Sequence, residues 1–156
     1  MTVAFAEETI HYHARLRDRW RSGSLPRELR HAYPDLFDDD DLRLALSQPA
    51  YHFFEWLGAL HYREIGFNVL VEQYVYSAHP RKIATVCQLI SEDDLQFLRN
   101  LPGQPPDLLV HRGDALSFFV EVKSSSDSIS QRQNRAFTRI VKRFSADVRV
   151  LRVLPK

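Results

Sequence analysis

The stretch that decides the fold runs from Pro105 to Gln133, PPDLLVHRGDALSFFVEVKSSSDSISQRQ. It holds two apolar runs, Asp107–His111 (DLLVH) and Leu116–Ser124 (LSFFVEVKS), on either side of Arg112, Gly113 and Asp114. Short aliphatic and aromatic runs broken by a glycine turn read as a β-hairpin. In the second strand Phe118, Val120 and Val122 point to one face, and Glu121 and Lys123 to the other. A carboxylate buried in so apolar a strand is costly unless a partner, a metal or solvent in a cleft compensates it. A local Glu–Lys contact on a solvent-facing strand is the competing reading.

A turn near Gly113 and Asp114 sets Asp107 across from Glu121. Adjacent carboxylates repel each other unless a cation sits between them. Oxygen ligation by Asp107 and Glu121, completed by a backbone carbonyl and waters, suits Mg²⁺ or Mn²⁺. Protonated Lys123 is no metal ligand, but it can hold a water or stabilise growing negative charge.

Downstream, Ser124–Ser128 (SSSDS) is a loop and Ser130 a helix N-cap. The helix spans Gln131 to about Phe144, with Gln133 on the same face as Phe137, Ile140, Val141 and Phe144. That places a polar side chain at the N-terminal end of the sheet-facing side, within reach of the carboxylates. Arg132, Arg135, Arg139, Lys142 and Arg143 form the outer row, which can track phosphates or simply keep a solvated face charged. From Ser128 to Lys156 there are eight basic residues and one acid, although the whole chain carries only +1. A last strand follows at Val148–Leu154.

Upstream, Ser47 with Pro49 signals a helix start, and Phe53, Leu57 and Leu60 recur at helical spacing up to Glu64. Gly66 stops that helix, and Phe67–Tyr76 reads as a strand. Residues 79–100 fit two short helices, the first carrying Ile83, Val86, Cys87 and Ile90, the second starting at Ser91. Cys87 reads as buried packing, and His52, His61 and His79 as helix or surface histidines. Leu101–Pro106 is a loop. Residues 1–48 read as mostly helical, including Thr9–Arg21, and form an N-terminal helical extension to a domain over 49–156. The order helix, strand, insertion, hairpin, helix, strand implies an α/β fold around a mixed sheet.

The 156 residues are 44% hydrophobic and 12% aromatic, which excludes a disordered or fibrous chain. One cysteine excludes an internal disulfide scaffold. No apolar run reaches a bilayer's width, and the first residues lack a signal-peptide pattern, so an intracellular, cytoplasmic protein without a membrane partner is expected.

Pro106–Asp107 and, fourteen positions on, Glu121–Val122–Lys123 resemble the motif of the PD-(D/E)XK nuclease superfamily. The similarity is strongest to its VRR-NUC and Holliday-junction-resolvase-like branch and covers about Ala50 to Leu154. Pro34–Asp35 is a decoy, with no acid-X-lysine strand at the right distance. The resemblance implies a restriction-endonuclease-like core, α-β-β-β-α-β, with helices flanking a mixed central sheet. It implies hydrolysis of phosphodiesters by an endonuclease acting on DNA, branched or structured DNA included, with DNA favoured over RNA. Asp107, Glu121, Glu55 and the carbonyl of Val122 would hold Mg²⁺ or Mn²⁺, and Lys123 and Gln133 would complete the catalytic set. Glu64 and Glu72 compete with Glu55 for its role. A twofold homodimer is the expected assembly for cutting both strands. A catalytically silent nucleic-acid-binding module on the same fold is the alternative, and a protein-interaction domain is a third reading.

Overall fold

The alternation along LSFFVEVKS builds the centre of the protein. In the computed structural model, Phe118, Val120 and Val122 face one apolar core, and Phe119 faces a second core on the opposite side of the sheet. The structure describes residues 4–50, 52–72, 74–76 and 79–156. Tyr51, Gln73 and Ser77, which fall in the helix, strand and insertion expected from sequence, lie outside the described residues.

The elements are β1 (Glu7–Tyr12), α1 (Ala14–Ser22), α2 (Ser24–Ala32), α3 (Asp39–Ser47), α4 (Phe53–Glu64), β2 (Asn68–Val71), α5 (Pro80–Leu89), α6 (Glu92–Arg99), β3 (Leu108–Arg112), β4 (Ala115–Lys123), α7 (Gln131–Phe144) and β5 (Asp147–Pro155). The sheet order is β1-β5-β4-β3-β2. β4 and β5 are parallel, as are β5 and β1, while β2, β3 and β4 are joined antiparallel. From α4 onward the order is the expected α-β-β-β-α-β of a restriction-endonuclease-like α/β core, with α5 and α6 inserted between β2 and β3. Helices α1–α4 supply the core on one face of the sheet, and α5–α7 the core on the other.

The N-terminal region carries the expected helices, α1, α2 and α3, but it opens on an element that was not expected. Glu7–Tyr12 is a strand, and it pairs with β5 from Glu7↔Val150 to Tyr12↔Pro155. Its strand character comes from that partner, far away in sequence, rather than from local propensity. Trp20, Leu25, Leu29 and Phe37 join the same core as Phe53, Val120 and Leu151, so residues on both sides of position 48 share one apolar interior. Ser47 ends α3 instead of starting α4, which begins after His52. Cys87 is exposed rather than buried, because its neighbour Val86 takes the inward position on α5. The expected strand Phe67–Tyr76 shortens to Asn68–Val71.

The acidic run Asp38–Asp41 is a structural knot. Asp38 and Asp41 form a capping box at the start of α3. Asp38 also accepts from Arg81 at 3.0 Å, and Asp41 from Lys82 at 2.8 Å, which ties α3 to α5.

One glycine decides how closely α4 approaches the sheet. A Cβ at Gly58 would lie 3.0 Å from Leu151 Cδ2 and 3.3 Å from both Leu108 and Val122. Gly58→Val is therefore expected to lower unfolding free energy by about 2 kcal/mol through overpacking. Urea titration of the variant checks this, and an unchanged midpoint would show that the α4–sheet contact is looser than described.

Candidate active site

The sheet brings its chemistry to one end. Asp107 immediately precedes β3, Glu121 and Lys123 finish β4, and Glu72 follows β2. Pairing Leu108↔Val120, Leu109↔Phe119 and Val110↔Phe118 extends to Asp107 opposite Glu121. A register shift between Val110 and His111 lies toward the turn and leaves the site end undisturbed. The Val122 N–H donates to Asp107 Oδ2 at 2.9 Å, and the Glu72 N–H donates to the Asp107 carbonyl at 2.7 Å. Tyr74 fixes the approach, its hydroxyl donating to the Pro106 carbonyl at 2.8 Å.

Helix α7 supplies the opposite wall. Ser130 caps it, and Gln133 completes the capping box by accepting from the Ser130 N–H. From this anchored position, Gln133 Oε1 accepts from Lys123 Nζ at 3.3 Å, and its Nε2 donates to Glu121 Oε1 at 3.3 Å. Lys123 Nζ also lies 3.7 Å from Glu121 Oε1. One glutamine thus holds an amine and a carboxylate in a fixed relation.

Glu55 enters from the first turn of α4, on the other face of the sheet. His52, expected as a helix or surface histidine, and Glu72, a competitor of Glu55 by sequence, both belong to this cluster. His52 Nε2 lies 2.7 Å from Glu72 Oε2, and His52 Nδ1 lies 3.7 Å from Glu55 Oε2. Ligating atoms of His52, Glu55 and Glu72 fall within 4.8 Å of one another. His52 and Glu72 both hold left-handed backbone, with φ of 57° and 35°. For non-glycine residues that conformation is unfavourable and is sustained by the surrounding structure. The local signal for His52 was its place three residues before Glu55. Glu72 showed itself only as the acid that ends an apolar strand. Glu64, at the far end of α4, stands about 14 Å along the helix from Glu55 and lines a separate groove with His61 and Tyr12.

The electrostatics are those of a crowded set of carboxylates, Glu121 buried and Asp107, Glu55 and Glu72 half-buried. Burial first, then the neighbouring charges of Glu121 and Glu55, hold the Asp107 carboxyl well above the ordinary carboxylate range. Burial pushes Glu121 up to about 7, although Lys123 and a hydrogen bond with Asp107 pull the other way. Burial alone would lower His52, yet Glu55 and Glu72 outweigh it and bring it to about 9. His52, as a cation, compensates Glu55 and Glu72, whereas Asp107 and Glu121 have only Lys123 close by, and the donors of the cluster are mostly hard oxygens. They fit Mg²⁺ or Mn²⁺.

The basic row on α7 divides in two. All five side chains are exposed. Arg143 pairs with Asp94 at 2.8 Å, and both Arg139 and Arg143 lie over the Phe97 ring. Arg132 and Arg135 stand in the first turns, beside Gln133. The decoy Asp35 pairs with Arg63 at 2.6 Å, away from the cluster.

The profile of the VRR-NUC domain, a PD-(D/E)XK nuclease-type domain, matches residues 54–155. Neither the curated proteins nor the solved structures contain a significant match to the chain. Among the described residues no helix is long and apolar enough to cross a membrane.

Proposed function

Because the chain belongs to the VRR-NUC family, which matches it over residues 54–155, we propose that it is a metal-dependent endonuclease that hydrolyses phosphodiester bonds in DNA, branched or structured DNA included. The observation that carries this reading is the pair Asp107 and Glu121. A buried carboxylate, Glu121, and a half-buried one, Asp107, face each other at one sheet end, each with its proton affinity raised, beside a lysine oriented by Gln133.

In this reading Asp107, Glu121, Glu55 and the Val122 carbonyl hold Mg²⁺ or Mn²⁺, with Glu72 beside them. When bound, the ion supplies Lewis acidity and lowers the pKa of a coordinated water. The residues of the chain do the rest. The Val122 N–H fixes one oxygen of Asp107. Lys123 presents its ammonium toward the nucleophile and the phosphoryl oxygens, where negative charge grows. Gln133 prevents Lys123 from collapsing onto Glu121, since it bonds both. Arg132 and Arg135 are the members of the α7 row placed to meet the phosphates flanking the scissile bond. A twofold dimer pairs two such sites on a symmetric substrate, and a monomeric mass at working concentration counts against it.

The test is a cleavage panel of supercoiled plasmid, linear duplex, single strand, flap, four-way junction and structured RNA, run with Mg²⁺, Mn²⁺ or EDTA. Metal-dependent cutting of DNA is the expected result. Binding in EDTA with no cutting of any substrate would instead favour the silent binding module. In the same preparation, Mn²⁺ titration by calorimetry is expected to show binding that Asp107→Ala removes. Undiminished binding by that variant would take Asp107 out of the metal site.

A further inference from the structure

The loop between Lys123 and α7 joins the two halves of the site, and its own backbone has few partners within itself. Asp127 N–H donates to the Ser124 carbonyl at 3.3 Å, and Ser124 Oγ bonds Asp127 Oδ2 at 3.1 Å. What anchors it is Arg152 on β5, the residue paired with Lys123 in the parallel register. Arg152 Nη1 donates to the Ser124 carbonyl at 3.1 Å and to the Asp127 carbonyl at 2.7 Å, and reaches the Ser125 carbonyl at 3.5 Å. Its Nε donates to Glu7 Oε1 at 2.7 Å. Glu7 belongs to β1, outside the residues that match the family.

A planar guanidinium held on one edge by a carboxylate and satisfied on the other by carbonyls has little rotational freedom. Lysine, a point charge, offers no such fork. The same strand that delivers Glu7 also delivers Glu8, which accepts from the Tyr62 hydroxyl of α4 and lies 3.6 Å from His61 Nε2. β1 is therefore tied both to the loop that follows Lys123 and to the helix that carries Glu55.

Resting on the nuclease reading, we infer that Arg152 is a positioning residue for the cleavage reaction, and that Glu7 of the N-terminal strand orients it. By fixing the Ser124–Asp127 carbonyls, the pair sets the distance between Lys123 on β4 and Gln133 on α7. The N-terminal strand is thus a component of the catalytic scaffold.

The experiment compares wild type with Arg152→Met, Arg152→Lys, Glu7→Gln and the Arg152→Met/Glu7→Gln double variant. Each is assayed for kcat and KM on the best DNA substrate, for DNA binding in EDTA and for amide exchange by mass spectrometry. A displacement of the order of 1 Å costs about a hundredfold in rate, so Arg152→Met is expected to lower kcat by about that factor with KM little changed. Arg152→Lys should recover only part of the loss. Glu7→Gln, which leaves the Arg152 charge in place, should lose less than Arg152→Met. The double variant should be no worse than Arg152→Met, because both substitutions break one linkage. Amides of residues 124–130 should exchange faster in the variants, while those of Phe119 and Val120 keep their protection.

A loss confined to KM and DNA affinity would overturn the inference and make Arg152 a phosphate contact. Unchanged exchange in the loop would overturn it equally, whatever the rates. Failure of the nuclease reading looks different, since wild type itself then cuts nothing. The exchange comparison still decides whether Glu7 and Arg152 hold the loop.

Discussion

Lys123→Ala is expected to reduce kcat by about a thousandfold, the scale seen when a preorganised charge at a transition state is removed. The argument is positional. Lys123 is nearly buried, with 12% of its side chain exposed, and it contacts Gln133 and Glu121 within the site. A lysine in that place is too enclosed to serve solubility and too near the carboxylates to serve as a peripheral phosphate contact. DNA binding in EDTA should therefore change little while cutting is lost. Circular dichroism and the urea midpoint establish that the variant is folded. A residual rate within about tenfold of wild type would remove Lys123 from the chemical step.

The second large effect is on stability in the absence of metal. Glu121 rises from its usual 4.5 to about 7 on folding, which corresponds to about 3 kcal/mol. The native state holds this proton more tightly than the unfolded chain does. The contribution is therefore fully present below pH 4.5, falls as pH rises, and is gone above about 7. Asp107, also raised, acts in the same direction. In EDTA the wild type should be measurably less stable at about pH 8 than at about pH 5, by an amount on the order of 3 kcal/mol. Glu121→Gln should flatten that dependence and raise stability at the higher pH, while abolishing cleavage. Guanidinium titrations at the two pH values give the comparison. A wild-type protein whose stability is level across this range would show that solvent or Lys123 already compensates the pair.

The parts legible in the sequence are those whose causes are local. Ser130 and Gln133 announce the start of α7 through side-chain capping, and the helix begins and ends close to where the sequence predicts. The alternation in β4 and the glycine turn fix the hairpin by counting, and they set Asp107 against Glu121 despite the register shift near His111. Other features depend on partners distant in sequence. β1 lacks a strong strand signature and becomes a strand because β5 offers an edge. His52 and Glu72 meet because α4 packs across the end of β2, which no spacing in the chain records. By sequence Arg152 is one more charge in the basic segment 128–156. Its function in the fold emerges only when its strand lies beside both Lys123 and Glu7.

The pairing of β1 with β5 also orders events during synthesis. Glu7–Tyr12 is made first, yet the edge it occupies exists only after Asp147–Pro155 has left the ribosome and docked against β4. Until then the strand is an unpaired, waiting segment, and closure of so long a loop is among the slowest steps available to a chain of this size. Glu7 and Arg152 come together with that same closure. A nascent nuclease domain could assemble the hairpin that bears Asp107, Glu121 and Lys123 early, and gain its full alignment only with the last strand. On the nuclease reading, cutting competence then waits for β5 to pair with both β4 and β1.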